Sequence, residues 1–280
     1  MNLRPTELAG FPALVSGQST WPPLLFLHGS FATHECFRQW VGFFAERGWR
    51  AISASRRGRL HLPPARAEGL ELAQYLDDTR RMIDALGTAP VLIGHSGGGL
   101  LAQKLAEEGR CAAAALLSPA PPWMLLPSFD ALPALLPLLP NIMAGRSVLP
   151  NYWTAVRTLL NRVPQPDRSR IHAALVHESG VAFRQLMHGS LPVDASKVSS
   201  PMRVVGADDD RIIAPRLARR IADCYGAAFD LRPGHGHWLI EEPGWEAIAT
   251  AVADWLDAVV PRAARLAKRP KRASSGRGGD

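Results

Sequence analysis

The chain has 280 residues, 47% of them hydrophobic and 20% charged, with a formal net charge of +7. That is enough chain to bury a sizeable core, and no apolar run approaches the ~18 residues that a membrane-spanning helix needs, so no such helix is expected. The charge is uneven: residues 262–280 carry seven Lys/Arg against Asp280 alone, which leaves +1 for the 261 residues before them and makes basicity a property of the tail.

Cys36, Cys111 and Cys224 are an odd number at no metal-like spacing, each in an apolar or helical context that suits a small buried residue. They point to a reducing compartment. The first fifteen residues contain Pro5, Glu7, Gly10 and Pro12 where a secretory signal needs an unbroken apolar segment, so the expected location is cytoplasmic.

Leu24-Leu25-Phe26-Leu27 is an apolar run bounded by Pro22-Pro23 and His28-Gly29, the pattern of a buried parallel strand. Residues 37–47 read as a helix with Phe37, Trp40, Val41 and Phe44 on one face, stopped by Gly48; residues 50–54 read as the next strand. A second amphipathic helix is expected over 71–86, with Leu72, Leu76, Ile83 and Leu86 inward and Gly87 as its stop. The apolar run Val91-Leu92-Ile93 then leads through Gly94-His95-Ser96-Gly97-Gly98 into Leu101, Ala102 and Leu105 at helical spacing. A strand that turns directly into a helix through glycines makes a crowded elbow, exposing the Ser96 hydroxyl at the sheet edge beside the N–H groups of a helix start.

Residues 112–117 are another apolar run, so strands and helices alternate from 24 to 118, which implies a parallel sheet with helices on both faces. The pattern breaks at Ser118-Pro119. Eleven prolines from Pro119 to Pro192 cut the following segment into short helical pieces, such as 153–160 and 168–175, with no strand period. Inserted between two strands, it is expected to be a helical cap over the strand ends, the alternative being an independent small helical domain. Alternation resumes with a strand at 202–205, a helix over 216–225, a strand at 228–231 and a last helix over 245–259, closed by Pro261. The tail from 262 lacks apolar periodicity and is expected to be disordered. Four segments result: 1–119, the first part of the core; 120–197, the cap; 198–261, the second part of the core; and 262–280, the basic tail.

A serine nucleophile needs a base, a group to orient the base, and donors for the oxyanion. The segment Gly234-His235-Gly236-His237-Trp238 follows a strand and puts two histidines at the same sheet edge as Ser96; either could serve. His61, His172, His177 and His188 lie in polar loop or cap segments suited to solvated or capping roles. Asp208-Asp209-Asp210 after the 202–205 strand offers the acid, although three successive acids also suit a solvated turn.

Taken together, these stretches resemble an α/β-hydrolase fold enzyme of the capped type: His28-Gly29, the Gly94–Gly98 elbow, Gly206 to Ile213 with its acid, and Gly236-His237-Trp238 followed by Glu242-Pro243, in the expected order over about residues 10–260. The resemblance implies Asp210 as the acid, with Asp209 second; His237 rather than His235 as the base; and backbone N–H groups of Gly97 and Ser30, with Phe31 as a further candidate, as oxyanion donors. Related dehalogenases and epoxide hydrolases place an Asp where Ser96 stands, so both reactions are disfavoured. Gly97, where relatives often have a larger residue, is expected to leave room for a wider acyl group.

The expected function is hydrolysis of a carboxylic ester or related acyl compound, thioester or lactone, by Ser96, His237 and Asp210 through an acyl-enzyme. No metal or organic cofactor is implied. Phe31, His95, Trp123, Met124 and Trp238, with Leu125, Leu126, Leu135, Leu136, Leu138 and Leu139 of the cap, are expected to give the substrate site an apolar face, suited to a moderately hydrophobic small molecule. The same residues support C–C bond hydrolysis or cofactor-free perhydrolysis as alternatives. A receptor that kept the fold without turnover is a further alternative, disfavoured by the intact Ser, His and acid. Specific nucleic-acid binding is not expected, because the folded part is nearly neutral and lacks interleaved basic and aromatic residues.

Overall fold

The computed structural model describes residues 3–19, 21–59, 67–125 and 131–260. His61, Leu126, Pro261 and the basic stretch 262–280, for which expectations were stated above, lie outside the described residues.

An eight-stranded sheet forms the centre: β1 (Arg4–Leu8), β2 (Phe11–Ser16), β3 (Leu24–Leu27), β4 (Ala51–Ala54), β5 (Val91–His95), β6 (Ala113–Leu117), β9 (Met202–Ala207) and β10 (Ala228–Arg232), in the spatial order β1-β2-β4-β3-β5-β6-β9-β10. From β4 to β10 the pairing is parallel. The β1–β2 hairpin is antiparallel and joins β4 antiparallel, so the sheet is mixed, which the alternation of residues 24–118 does not reveal. Its turn, Ala9-Gly10, has positive φ at both positions (55° and 81°), the geometry whose twist suits a two-residue hairpin.

Along β3, Leu24 and Phe26 face one core while Leu25 and Leu27 face the other, as successive side chains of a strand must. The first core is closed by α1 (Arg38–Glu46), preceded by a 3₁₀ turn at His34–Phe37, and α10 (Trp245–Val259). It is aromatic: Phe26 packs against Phe37, Trp40 and Phe44 at ring separations of 5.0 to 6.4 Å. The second is closed by α2 (Leu72–Leu86), α3 (Gly97–Glu107) and α9 (Pro215–Tyr225). Glu71 caps α2 by a reciprocal capping box with Gln74, and Gly87 ends the helix in the left-handed conformation at φ 67°. The expected inward face of α2 holds at Leu72, Leu76 and Ile83, whereas Leu86 is only half-buried and Tyr75, Asp78, Thr79 and Met82 join the buried set. Buried Asp78 is paired with Arg57.

Between β6 and β9 the chain runs through α4 (Leu132–Leu135), a 3₁₀ turn (Leu136–Leu138), α5 (Leu139–Met143), β7 (Ser147–Val148), α6 (Tyr152–Arg157), α7 (Asp167–Ala174), β8 (Glu178–Ser179), α8 (Gly180–His188) and a last 3₁₀ turn (Ala195–Lys197). These pieces are short, as the prolines dictate. The absence of strands expected there is corrected by the β7–β8 pair, two residues on each side, too short to leave a period in the sequence. Cys36 and Cys111 are buried, but Cys224 is exposed on α9, contrary to expectation, because it falls outside the stripe of Ala218, Ile221 and Ala222. Among the described residues no helix is long and apolar enough to cross a membrane.

Candidate active site

Ser96 sits where β5 becomes α3, at φ 52° and ψ −120°, a strained conformation for a residue with a side chain. Two glycines make the elbow possible by close approach. A Cβ at residue 98 would stand 2.0 Å from the Leu27 carbonyl oxygen, and one at residue 94 would stand 2.5 Å from the Gly98 oxygen. α3 thereby packs directly onto the sheet, and Ser96 stands at its N-cap.

His237 Nε2 lies 3.1 Å from Ser96 Oγ, and its Nδ1 lies 2.9 and 3.0 Å from the two carboxylate oxygens of Asp210. Asp210 is fixed in turn, its Oδ1 accepting the N–H groups of Ile212 and Ile213 at 2.8 Å each. All three residues are buried. The neighbouring acids are engaged elsewhere. Asp208 accepts the N–H of Gly234 at 2.8 Å, and Asp209 binds Asn161 at 3.1 Å and Arg162 at 2.5 Å. His235 faces Glu242 at 3.2 Å instead of Ser96. The turn therefore sends each member of the two look-alike sets in a different direction.

Ser30 and Gly97 meet beside the nucleophile. A Cβ at residue 97 would lie 3.8 Å from Ser30 Oγ and 3.9 Å from the Ser30 nitrogen. Phe31, at φ 63°, is buried against Phe183 with ring centroids 5.5 Å apart, and its carbonyl accepts the N–H of Val176, tying this loop to the insertion. The space expected at Gly97 is filled: Leu186 of α8 brings Cδ1 to 3.0 Å from the missing Cβ.

A cavity opens over Ser96 and His237, bounded by Phe31, His95 and Trp238 from the sheet edge and by Leu125, Leu135, Leu138, Phe183, Leu186 and Met187 from the insertion. Trp123 and Met124 do not line it. The Trp123 ring lies under Arg220 at 4.6 Å and packs on the second core, while Met124 is 59% exposed and borders, with Leu136 and Leu139, an apolar groove on the other side of Leu125, Leu135, Phe183 and Met187. Adjacent residues point apart once Leu125 takes the buried position, and the sequence offers no period by which to choose between them.

His95 supports the site from behind: its Nε2–H donates to the His237 carbonyl at 2.8 Å, holding the loop that bears the imidazole. Burial, with the nearby His237, lowers its pKa to about 3. Burial and the charge of Arg56 lower that of His28 likewise. Both rings stay neutral in the folded state at pH values where the unfolded chain, near 6.5, takes up protons. Stability is then intact above pH 6.5 and declines as pH falls from 6.5 toward 3, with His95 alone accounting for about 2 kcal/mol at pH 5. Urea unfolding at pH 7.5 and pH 5 is expected to show this loss, and a smaller one in His95→Gln. A variant as acid-sensitive as the parent contradicts it.

Among the described residues no group of three or more His, Cys, Asp or Glu is arranged to hold a metal. The residues that the sequence left without a role are Arg56 and Glu178, buried and lining a small pocket with Ser30 and Gly97, Arg59, which pairs with Glu178, and Leu186 and Phe183 of α8. Only the basic run Arg56-Arg57-Gly58-Arg59 after β4 hinted at them.

Fold and site together define an enzyme of the esterase-like hydrolase type. The model of the alpha/beta hydrolase family matches residues 24–252, and the chain belongs to that family. It is 28% identical over 244 residues to a non-heme chloroperoxidase of Burkholderia pyrrocinia, covering 78% of this chain and 86% of that one. Among solved structures, a monoacylglycerol lipase of Paleococcus ferrophilus superposes with a TM-score of 0.68 at 21% identity, covering 91% of this chain and 98% of that one. The carboxylesterase CesB of Bacillus subtilis superposes with 0.64 at 17% identity, covering 92% and 93%. At these identities the structural likeness speaks for the fold alone.

Proposed function

We propose that the protein is a serine hydrolase of carboxylic esters or related acyl compounds. The observation that carries the reading is the continuous hydrogen-bonded line from Ser96 Oγ through both nitrogens of His237 to Asp210. In this reading His237 takes the Ser96 proton as Oγ attacks the carbonyl carbon, and Asp210 holds the ring in the tautomer that leaves Nε2 free to accept it. The N–H groups of Gly97 and Ser30 face the developing oxyanion. The imidazolium gives its proton to the leaving alcohol, and a water repeats the sequence to release the acid. Residues 120–197 act as a cap whose leucines and Phe183 exclude water from the reacting carbonyl. The apolar cavity favours a moderately hydrophobic small molecule, and the cytoplasm is the location we propose for it.

Cofactor-free perhydrolysis on the same residues is the second reading, favoured by the 28% identity to a protein named a non-heme chloroperoxidase. It needs peroxide to replace water in the second half-reaction. Turnover of p-nitrophenyl butyrate in buffer, set beside peroxide-dependent halogenation of monochlorodimedone in acetate, separates the two. Ester turnover is expected to dominate. Halogenation faster than ester hydrolysis would move the assignment to perhydrolysis.

A further inference from the structure

Residues 132–143 form one continuous helical run through α4, the 3₁₀ turn and α5. Ala134, Leu138 and Ile142, four residues apart, are its buried face. On such a run the opposite face is ordinarily polar. Here Leu132, Leu136, Leu139 and Met143 follow one another at spacings of four, three and four residues and make a second apolar face. With Met124 they are 42% to 67% exposed, and all five line the apolar groove. Among the described residues, every large hydrophobic side chain that stands exposed, apart from Leu231, falls between Met124 and Trp153. Apolar surface gathered in this way marks a binding site.

The groove backs onto the site. The space over Ser96 is about 30 Å³, room for about two waters, so a longer acyl group has to extend beyond it. The groove offers about 320 Å³. Leu125, Leu135, Phe183 and Met187 line both spaces, so a single layer of apolar side chains stands between them. The polar members of the groove are Arg184 and His188 of α8, and every other lining residue is Leu, Ile, Met or Phe. Arg184 is turned to the end of α5, where its Nη1 donates to the carbonyls of Ile142 and Met143 at 3.1 and 2.9 Å. A ligand therefore meets apolar contact along the groove.

We propose that this groove is the acyl-chain site of the enzyme, and that its substrate is an ester of a straight-chain fatty acid of medium length or longer. The inference rests on the reading of Ser96 as the nucleophile. The leaving alcohol has to meet the proton on His237 Nε2, so the acyl chain departs from the carbonyl carbon on the other side. That side belongs to α8, which reaches Gly97 through Leu186 and Phe31 through Phe183. From there the chain passes between Phe183 and Met187 into the groove. Met187 is unbranched and only half-buried, and rotation about its side-chain torsions opens the passage without moving the backbone. A passage one side chain wide suits an unbranched chain. Once seated, the chain takes the second face of the run, Leu132, Leu136 and Leu139, out of water.

The test compares p-nitrophenyl octanoate with p-nitrophenyl butyrate on the full chain, each below its solubility limit. The readout is the ratio of the two kcat/KM values in one preparation, which does not move with the fraction of protein folded. A methylene fully removed from water is worth about fourfold, and the parent is expected to favour the octanoate by about 20-fold or more. Leu136→Asp and Leu139→Asp, which place a charge on the groove face, are each expected to bring the ratio below about threefold. Leu136→Met keeps the face apolar and is expected to keep the ratio. A parent ratio near one, or a ratio unmoved by both aspartates, overturns the acyl groove. If in that case the parent self-associates and Leu136→Asp does not, a second copy of the chain covers the face. Octyl acetate set beside butyl acetate carries the same increment on the alcohol, and a loss confined to that pair in the aspartate variants overturns the acyl assignment in favour of the alcohol. Persistent p-nitrophenyl acetate turnover in Ser96→Ala overturns the nucleophile reading instead, so the two failures are distinguishable.

Discussion

Ser96→Ala is expected to lower kcat for p-nitrophenyl butyrate by at least ~10⁴-fold, because the variant keeps the pocket and the oxyanion donors and loses the attacking atom. The melting temperature is expected to hold, since among the described residues the hydroxyl bonds His237 and the elbow is shaped by Gly94 and Gly98. Stopped-flow release of p-nitrophenolate, with a thermal melt on the same sample, makes the comparison. Near-parental turnover by the variant would end the serine reading, and a collapsed melt would mean that residue 96 supports the fold.

The second large effect separates neighbours that the residue pattern alone leaves open and that the family resemblance ranks. His237→Ala is expected to lose activity on the scale of Ser96→Ala. His235→Ala is expected to lose less than about tenfold, because its ring faces Glu242 and acts only through the loop. Asp210→Asn is expected to cost on the order of 10⁴-fold by favouring the wrong His237 tautomer. Asp208→Asn and Asp209→Asn, whose carboxylates hold Gly234 and the Asn161–Arg162 pair, are expected to cost far less. Steady-state kinetics across the five variants decides. A reversed order within either set moves the role to the neighbouring residue and leaves the mechanism standing.

The sheet from β3 to β10 and the order of Ser96, Asp210 and His237 were legible because each depends on local pattern: a short apolar run, a glycine elbow, a turn after a strand. The β1–β2 hairpin was not, because β1 is an exposed edge strand with no alternation to read, its residues Arg4 to Glu7 all facing solvent. What fails in the cap has a different cause. Trp123, Met124 and Leu125 lie in a non-helical stretch with no period to mark an inward face, and the intrusion of Leu186 at Gly97 depends on how α8 docks. Arg56 was invisible for a related reason. In sequence it is one of three basic loop residues, and only the fold gives Arg57 and Arg59 their acids and leaves Arg56 buried without one.

Labelling with a fluorophosphonate tests the central claim most directly, because covalent capture requires an activated nucleophile, its base and an open path to the pocket at once. After digestion, mass spectrometry of the full-length protein is expected to find the phosphonyl group on Ser96, at a rate greatly reduced in His237→Ala. Label on another residue, or equal labelling of Ser96 with His237 removed, would contradict the account.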